Sequence, residues 1–163
     1  MNITFKGSPL SLVGQQLKTN DVLPSFTVTD NSLGSLSLDE TKGVRIFLSV
    51  PSLDTSVCEQ EIITFNKRAG EIPGVTVYTI SMDLPFAQAR WCGANDIKNV
   101  VTASDYKNKE FANATGTYIK ELGLLARAAF VVDENNKVLY SEYVQEVTSL
   151  PNFEAVLQAA QNK

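Results

Sequence analysis

Residues 44–50 (Val-Arg-Ile-Phe-Leu-Ser-Val) are β-branched and nearly continuously apolar, and Pro51 closes the run. That pattern predicts a central strand buried on both faces. The period then changes. Cys58, Ile62, Phe65 and Ala69 fall at i, i+4, i+7 and i+11, a single helical stripe that places Cys58 on the inward side of the first turn of a helix starting at Thr55 or Ser56. Ile72-Pro73-Gly74 breaks the chain, and residues 75–81 (Val-Thr-Val-Tyr-Thr-Ile-Ser) predict the next strand. A short helix is expected over 84–91, entered through Pro85, a residue tolerated at a first helical position. Residues 100–101 read as a short strand and 107–114 as a weak helix. Two apolar runs, 128–133 and 138–144, flank Glu134-Asn-Asn-Lys137 and predict a hairpin, and 153–160 form an amphipathic helix after Pro151. At the other end, 2–13 read as two short strands turning at Gly7-Ser8-Pro9. Residues 26–30 alternate like a strand, followed by a loop over 31–34. Strands alternate with helices early and pair antiparallel late, so the expected class is α/β, a mixed central sheet flanked by helices. No internal repeat or low-complexity linker interrupts the pattern, and one domain spanning 1–163 is expected.

Composition narrows the chemistry. The chain has two cysteines and no histidine, which excludes Ser-His-Asp and Cys-His pairs and every histidine metal site. Two cysteines do not close a tetrahedral thiolate site, so no metal is expected. An acid or base must be a carboxylate, Lys, Tyr or Cys, and in an enzyme without a cofactor the cysteines lead by elimination. The net charge of −4, with scattered lysines, gives no electrostatic reason to expect nucleic acid or an anionic membrane as partner. Residues 1–14 lack a charged-then-apolar leader pattern, and no apolar run approaches a membrane span. A cytoplasmic protein is the expectation.

Cys58 lies where a buried strand runs through Pro51-Ser-Leu-Asp-Thr-Ser-Val into a helix N-terminus. Unpaired N–H groups and the positive end of the helix dipole favour thiolate over thiol at such a position, and the thiolate is the nucleophile. Glu59 and Glu61 oppose this if they point the same way. Ser56-Val-Cys-Glu59 fits a capping box, which would turn Glu59 toward the backbone. Of the four arginines, Arg127 stands just before the strand 128–132, from where it could reach the C-terminal end of a neighbouring strand. Each of these residues also has an ordinary structural role: Cys58 as a small core hydrophobe, Thr55 as a helix cap, Asp54 as a turn residue, Arg127 at a strand edge.

Together they form a recognisable pattern. Pro51-x-x-x-Thr55-x-x-Cys58 resembles the active-site motif of the peroxiredoxins, and the fuller string Pro-Ser-Leu-Asp-Thr-Ser-Val-Cys resembles their bacterial thiol peroxidase branch, the atypical two-cysteine enzymes. The segment Ser81-Met-Asp-Leu-Pro-Phe-Ala-Gln-Ala-Arg-Trp-Cys-Gly93 is similar to that branch's resolving-cysteine segment. Ala126-Arg-Ala-Ala-Phe-Val-Val-Asp133 is similar to the strand carrying the family arginine. The resemblance covers nearly the whole chain. It implies a thioredoxin-like fold with an N-terminal β-hairpin, a homodimer, a hydroperoxide substrate, no cofactor, and thioredoxin or a similar dithiol as reductant. It further implies that Cys58 is peroxidatic and Cys92 resolving. Thr55 would bond the sulfur or the peroxide, Arg127 would stabilise the thiolate and polarise the O–O bond, and Pro51 would shield the site. Ser56 stands where glycine is common in the branch, and Asn95-Asp96 replaces a frequent Glu-Gly.

Two consequences follow from that pairing. The cysteines are 92 − 58 = 34 residues apart, each on or near its own helix, whereas a disulfide needs Cα atoms within about 7 Å. A fold that holds them farther apart must partly unwind around 56–60 and 90–95 in each turnover. Leu53, Met82, Leu84 and Phe86 are candidates for an apolar wall suited to organic hydroperoxides. The competing classes are a thiol–disulfide oxidoreductase, which the missing Cys-x-x-Cys pair disfavours; a non-catalytic redox sensor; and a secreted protein with a structural disulfide.

Overall fold

The computed structural model describes residues 2–69 and 71–162. Its strands and helices run in the order β1 (Ile3–Phe5), β2 (Ser8–Leu10), β3 (Leu12–Val13), β4 (Thr27–Asp30), β5 (Ser35–Ser37), β6 (Val44–Ser49), α1 (Ser56–Ala69), β7 (Val75–Ser81), α2 (Pro85–Ala94), β8 (Val100–Ser104), α3 (Glu110–Thr115), β9 (Tyr118–Ile119), β10 (Leu124–Leu125), β11 (Ala128–Val132), β12 (Val138–Tyr143) and α4 (Phe153–Gln161). The central sheet has the order β12-β11-β6-β7-β8-β4-β5. β6, β7 and β8 are parallel, and every other pairing is antiparallel. This is the expected α/β arrangement, a thioredoxin-like mixed sheet covered by helices, with β1 and β2 forming the N-terminal hairpin.

All six residues of β6 are buried. Ile46 and Leu48 face a core shared with Ile62 and Phe65 of α1, Trp91 of α2 and Val156 of α4. Phe47 faces the opposite core, with Tyr78, Phe111 and Phe130. A strand lined on both sides has no polar face to show, which is why it reads as an unbroken apolar run. The parallel pairs need crossovers, and α1 and α2 supply them. The chain therefore enters α1 directly from the C-terminal end of the most buried strand.

Antiparallel pairing of β11 with β6 sets Ala128 opposite Ser49, so Arg127 lies at that same C-terminal end. Ser49 is buried, and its hydroxyl donates to the carbonyl of Ala126 at 2.7 Å, fixing the backbone one residue before Arg127.

Four local expectations need correction. The N-terminal turn is at Lys6-Gly7, with φ of 49° and 80°, and Ser8 and Pro9 belong to β2. Two consecutive left-handed residues match the twist of a tight hairpin. Helix α2 extends to Ala94 and so includes Cys92. β8 runs on to Ser104, whereas α3 is limited to Glu110–Thr115. The edge and satellite strands β5, β9 and β10, of two or three residues each, were not anticipated, because so few residues carry no period.

Replacing Ser49 with Ala leaves the buried Ala126 carbonyl without this donor. The expected cost is about 1–3 kcal/mol of unfolding free energy, measured by urea denaturation; a variant as stable as wild type would show that the bond does not anchor the Arg127 segment.

Candidate active site

Helix α1 begins under a threonine cap. The Thr55 hydroxyl accepts the N–H of Cys58 at 3.2 Å and donates to the Ser52 carbonyl at 3.3 Å, while the Thr55 carbonyl accepts the first helical N–H, from Glu59, at 2.9 Å. The cap is therefore Thr55 rather than the Ser56-to-Glu59 box, and it places Cys58 at the third helical position with its side chain turned inward. Cys58 is 0% exposed.

The buried guanidinium of Arg127 meets it there. Nη2 donates to Cys58 Sγ at 3.2 Å, Nη1 donates to Glu61 Oε2, and Nε donates to the Val147 carbonyl at 3.0 Å. Two groups that carry or acquire negative charge thus share one cation inside the protein. Burial works against the charge of Arg127, but Glu61 and Cys58 outweigh it and raise its pKa above the ordinary guanidinium value. Burial pushes the Glu61 carboxyl up to about 7, against the pull of Arg127. Glu61 Oε1 has no hydrogen-bond partner among the described residues.

Glu61 is the site residue that the sequence reading left unassigned. Its signal was its position: at i+3 from Cys58 it shares the face of Ile62 and Phe65, and a carboxylate on a buried helical face needs a buried cation.

A cleft of about 240 Å³ opens over this group. It is lined by Thr55 and Arg127 together with Pro51, Val57, Leu124 and Val147, and the surface it exposes is almost wholly apolar. Phe5 of the N-terminal hairpin adds to its apolar rim. The hairpin is held over the cleft by Glu146, which accepts from the Thr4 hydroxyl at 2.7 Å and from the N–H groups of Lys6 and Gly7 at 3.0 and 3.2 Å. The bond from Thr4 is the main reason that the Glu146 carboxyl is held down at about 2. The expected wall residues are elsewhere. Leu53 belongs to the core beneath α1, and Met82 packs on the opposite core. Leu84 and Phe86 stand 53% and 68% exposed at the start of α2.

Cys58 and Cys92 are both free thiols. Cys92 Sγ lies 3.2 Å from the Thr102 hydroxyl on β8. Thr102 pairs with Thr79, and Thr79 with Leu48 of β6, so Cys92 is anchored two strands from β6 while Arg127 holds Cys58 from the far side of β6. The two thiols thus have separate anchors to either side of β6, and neither is bonded to the other. Thr55, Arg127 and Pro51 line one cleft, Cys58 is bonded to Arg127 beneath it, and Cys92 lies against β8. No helix is long and apolar enough to cross a membrane among the described residues.

Comparison with known proteins gives a consistent answer. The Redoxin family model matches residues 18–157. The thiol peroxidase of Clostridium acetobutylicum is 58% identical over 161 residues, covering 99% of this chain and 98% of its own. That of Bacillus subtilis is 55% identical over 159 residues, covering 97% and 95%. Among solved structures, a peroxiredoxin-like protein from Aquifex aeolicus superposes with a TM-score of 0.93 at 38% identity, covering 99% of this chain and 96% of its own.

The raised carboxyl of Glu61 has a defined effect on stability. Between its ordinary value of 4.5 and its folded value of about 7 the native state holds a proton that the unfolded chain has released. Its contribution is therefore present below 4.5 and is lost as pH rises through about 7. Glu61→Gln removes this dependence, so the variant gains stability relative to wild type between about pH 5 and about pH 8 in urea unfolding. A difference that stays constant with pH would contradict the assignment.

Proposed function

Because the chain belongs to the thiol peroxidases of the Redoxin family, we propose that it reduces hydroperoxides with Cys58 and resolves the product with Cys92. The observation that carries this reading is the Arg127 Nη2 contact to Cys58 Sγ at 3.2 Å, made by a guanidinium that also lines a cleft of about 240 Å³.

The Cys58 thiolate attacks the terminal oxygen of ROOH. An S–O bond forms, the O–O bond breaks, and the electron pair leaves on RO⁻, which takes a proton to become an alcohol or water. Sulfur is oxidised to sulfenic acid and the peroxide is reduced. Charge moves from sulfur to the leaving oxygen, so a donor already fixed beside the sulfur needs little reorganisation as the transition state forms. Arg127 has that position, buried and braced by Glu61 and the Val147 carbonyl. Thr55 acts in two ways: its hydroxyl holds the Cys58 N–H, and it lines the cleft where the peroxide would lie. Pro51 is part of the wall that keeps water off the sulfur.

Cys92 then attacks the sulfenic sulfur. An S–S bond forms, the S–O bond breaks, and hydroxide leaves with the Cys92 proton as water. Each thiol has its own anchor, Arg127 for Cys58 and Thr102 for Cys92, so this step requires the start of α1 and the end of α2 to rearrange first. Thioredoxin or a similar dithiol restores both thiols by exchange. The same reading takes the whole chain, 1–163, as one such domain that works in the cytoplasm as a homodimer. The apolar cleft favours organic hydroperoxides over hydrogen peroxide.

Stopped-flow mixing with cumene hydroperoxide, followed by Trp91 fluorescence, tests the scheme. Trp91 adjoins Cys92 and is buried, so it reports the resolving step. Wild type is expected to give a fast change and a Cys58–Cys92 disulfide, Cys58→Ser to be inert, Cys92→Ser to stop at sulfenic acid, and Arg127→Met to slow the first step about 10²–10³-fold. Peroxide consumption by Cys58→Ser at the wild-type rate would overturn the proposal. A faster reaction with hydrogen peroxide than with cumene hydroperoxide would overturn the substrate preference alone.

A further inference from the structure

One hydrogen-bonded carboxylate lies outside the cleft yet joins the two segments that must move. Asp83 occupies the bend between β7 and α2. Its Oδ1 accepts from the Ser52 hydroxyl at 2.7 Å, and its Oδ2 accepts from the Leu53 N–H at 2.8 Å and from the Ser81 hydroxyl at 2.7 Å. Ser52 and Leu53 belong to the loop that leads into Thr55 and Cys58, and the Ser52 carbonyl is the acceptor for the Thr55 hydroxyl. On the other side, Ser81 Oγ accepts from Gln88 Nε2 at 2.9 Å, and Gln88 Nε2 also donates to the Ala103 carbonyl at 2.8 Å. Gln88 is fully buried in α2, one helical turn before Cys92 and on the same face. The Ser104 hydroxyl holds the backbone carbonyl of Asp83 itself.

The connection runs without a break from the Cys58 loop, through Ser52 and Leu53, to Asp83, then to Ser81, Gln88 and the helix of Cys92. Three donors end on one carboxylate, and hydrogen bonds to an ionised acceptor are roughly twice as strong as neutral ones. We propose that Asp83 is a positioning residue that latches the Cys58 loop to the base of the Cys92 helix, holding both in the arrangement that reacts with peroxide and delaying disulfide closure until the latch opens. The inference rests on the two-cysteine reading above.

A latch of this kind has opposite effects on the two chemical steps. While closed it keeps the Thr55 cap and the Arg127 contact assembled, which favours attack on peroxide. It also keeps Cys92 away, which prolongs the sulfenic acid and exposes it to a second peroxide and sulfinic acid formation. Weakening it should slow the first step and speed the second. General loss of packing would slow both.

The test measures three quantities in wild type, Asp83→Ala, Asp83→Asn and Ser52→Ala: the rate of the first step with cumene hydroperoxide, the rate of disulfide closure by Trp91 fluorescence, and the fraction of sulfinic acid by intact mass at high peroxide. For Asp83→Ala the expected result is closure about tenfold faster, the loss of a bond to a charged group, with a slower first step and less sulfinic acid. Asp83→Asn, which keeps one acceptor oxygen, and Ser52→Ala, which removes one of the three donors, should lie between it and wild type, and they carry the test if Asp83→Ala does not fold. Closure in the folded variants at or below the wild-type rate would overturn the latch. A wild-type protein that forms no Cys58–Cys92 disulfide would instead overturn the two-cysteine reading, and the latch with it.

Discussion

The buried guanidinium of Arg127 is the group around which the candidate site is organised. It is held by a carboxylate and a thiol from the first turns of α1 and by the backbone carbonyl of Val147, far along the chain. A charge this deep is tolerated only where its hydrogen bonds are satisfied, and removing one partner from such a group typically costs about 3–5 kcal/mol. Glu61 is thus more than a neighbour of Cys58. It makes the presence of Arg127 in the core affordable, and at the same time it competes with the sulfur for the same positive charge. Burial raises its carboxyl against the pull of Arg127, and one of its oxygens has no hydrogen-bond partner among the described residues.

Topology makes the meeting possible. Cys58 and Arg127 are far apart in sequence, but β11 runs antiparallel beside β6, so the residue that begins β11 lies level with the residue that ends β6. The first turn of α1 starts just beyond that point. The parallel half of the sheet has the converse effect: two crossovers carry the chain from β6 to β8 and leave Cys92 against Thr102, about two strands away. The arrangement that builds a protected nucleophile also separates it from its partner. On the proposed two-cysteine mechanism, turnover includes a conformational step, and the bonds holding the two segments bear on its rate.

Much of this was legible in the sequence because the elements concerned are long and strongly patterned. The nearly continuous apolar run over 44–50, the stripe from Cys58 to Ala69 and the hairpin at 134–137 each carry a clear pattern. Arg127 was placed correctly from its position before an apolar strand. What escaped was set by contacts between elements with little local signal. The cleft walls come from Phe5, Leu124 and Val147, which no spacing rule connects, whereas Leu84 and Phe86, apolar and near Cys92 in sequence, point into solvent. The Ser56-to-Glu59 capping pattern lost to a threonine one residue earlier, because the cap is decided by which residue's carbonyl starts the helix. Asp83 carried no local signal at all, since its three donors come from two separate strand ends.

The most direct test of the central claim, that Arg127 and Glu61 concentrate reactivity at Cys58, is to find which sulfur peroxide oxidises first. Wild-type protein is reduced, mixed with one equivalent of cumene hydroperoxide in excess dimedone, digested, and mapped by mass spectrometry at the shortest quench times. The sulfenic acid adduct is expected on the Cys58 peptide before any appears on the Cys92 peptide. Adduct appearing first, or equally fast, on Cys92 would contradict the claim.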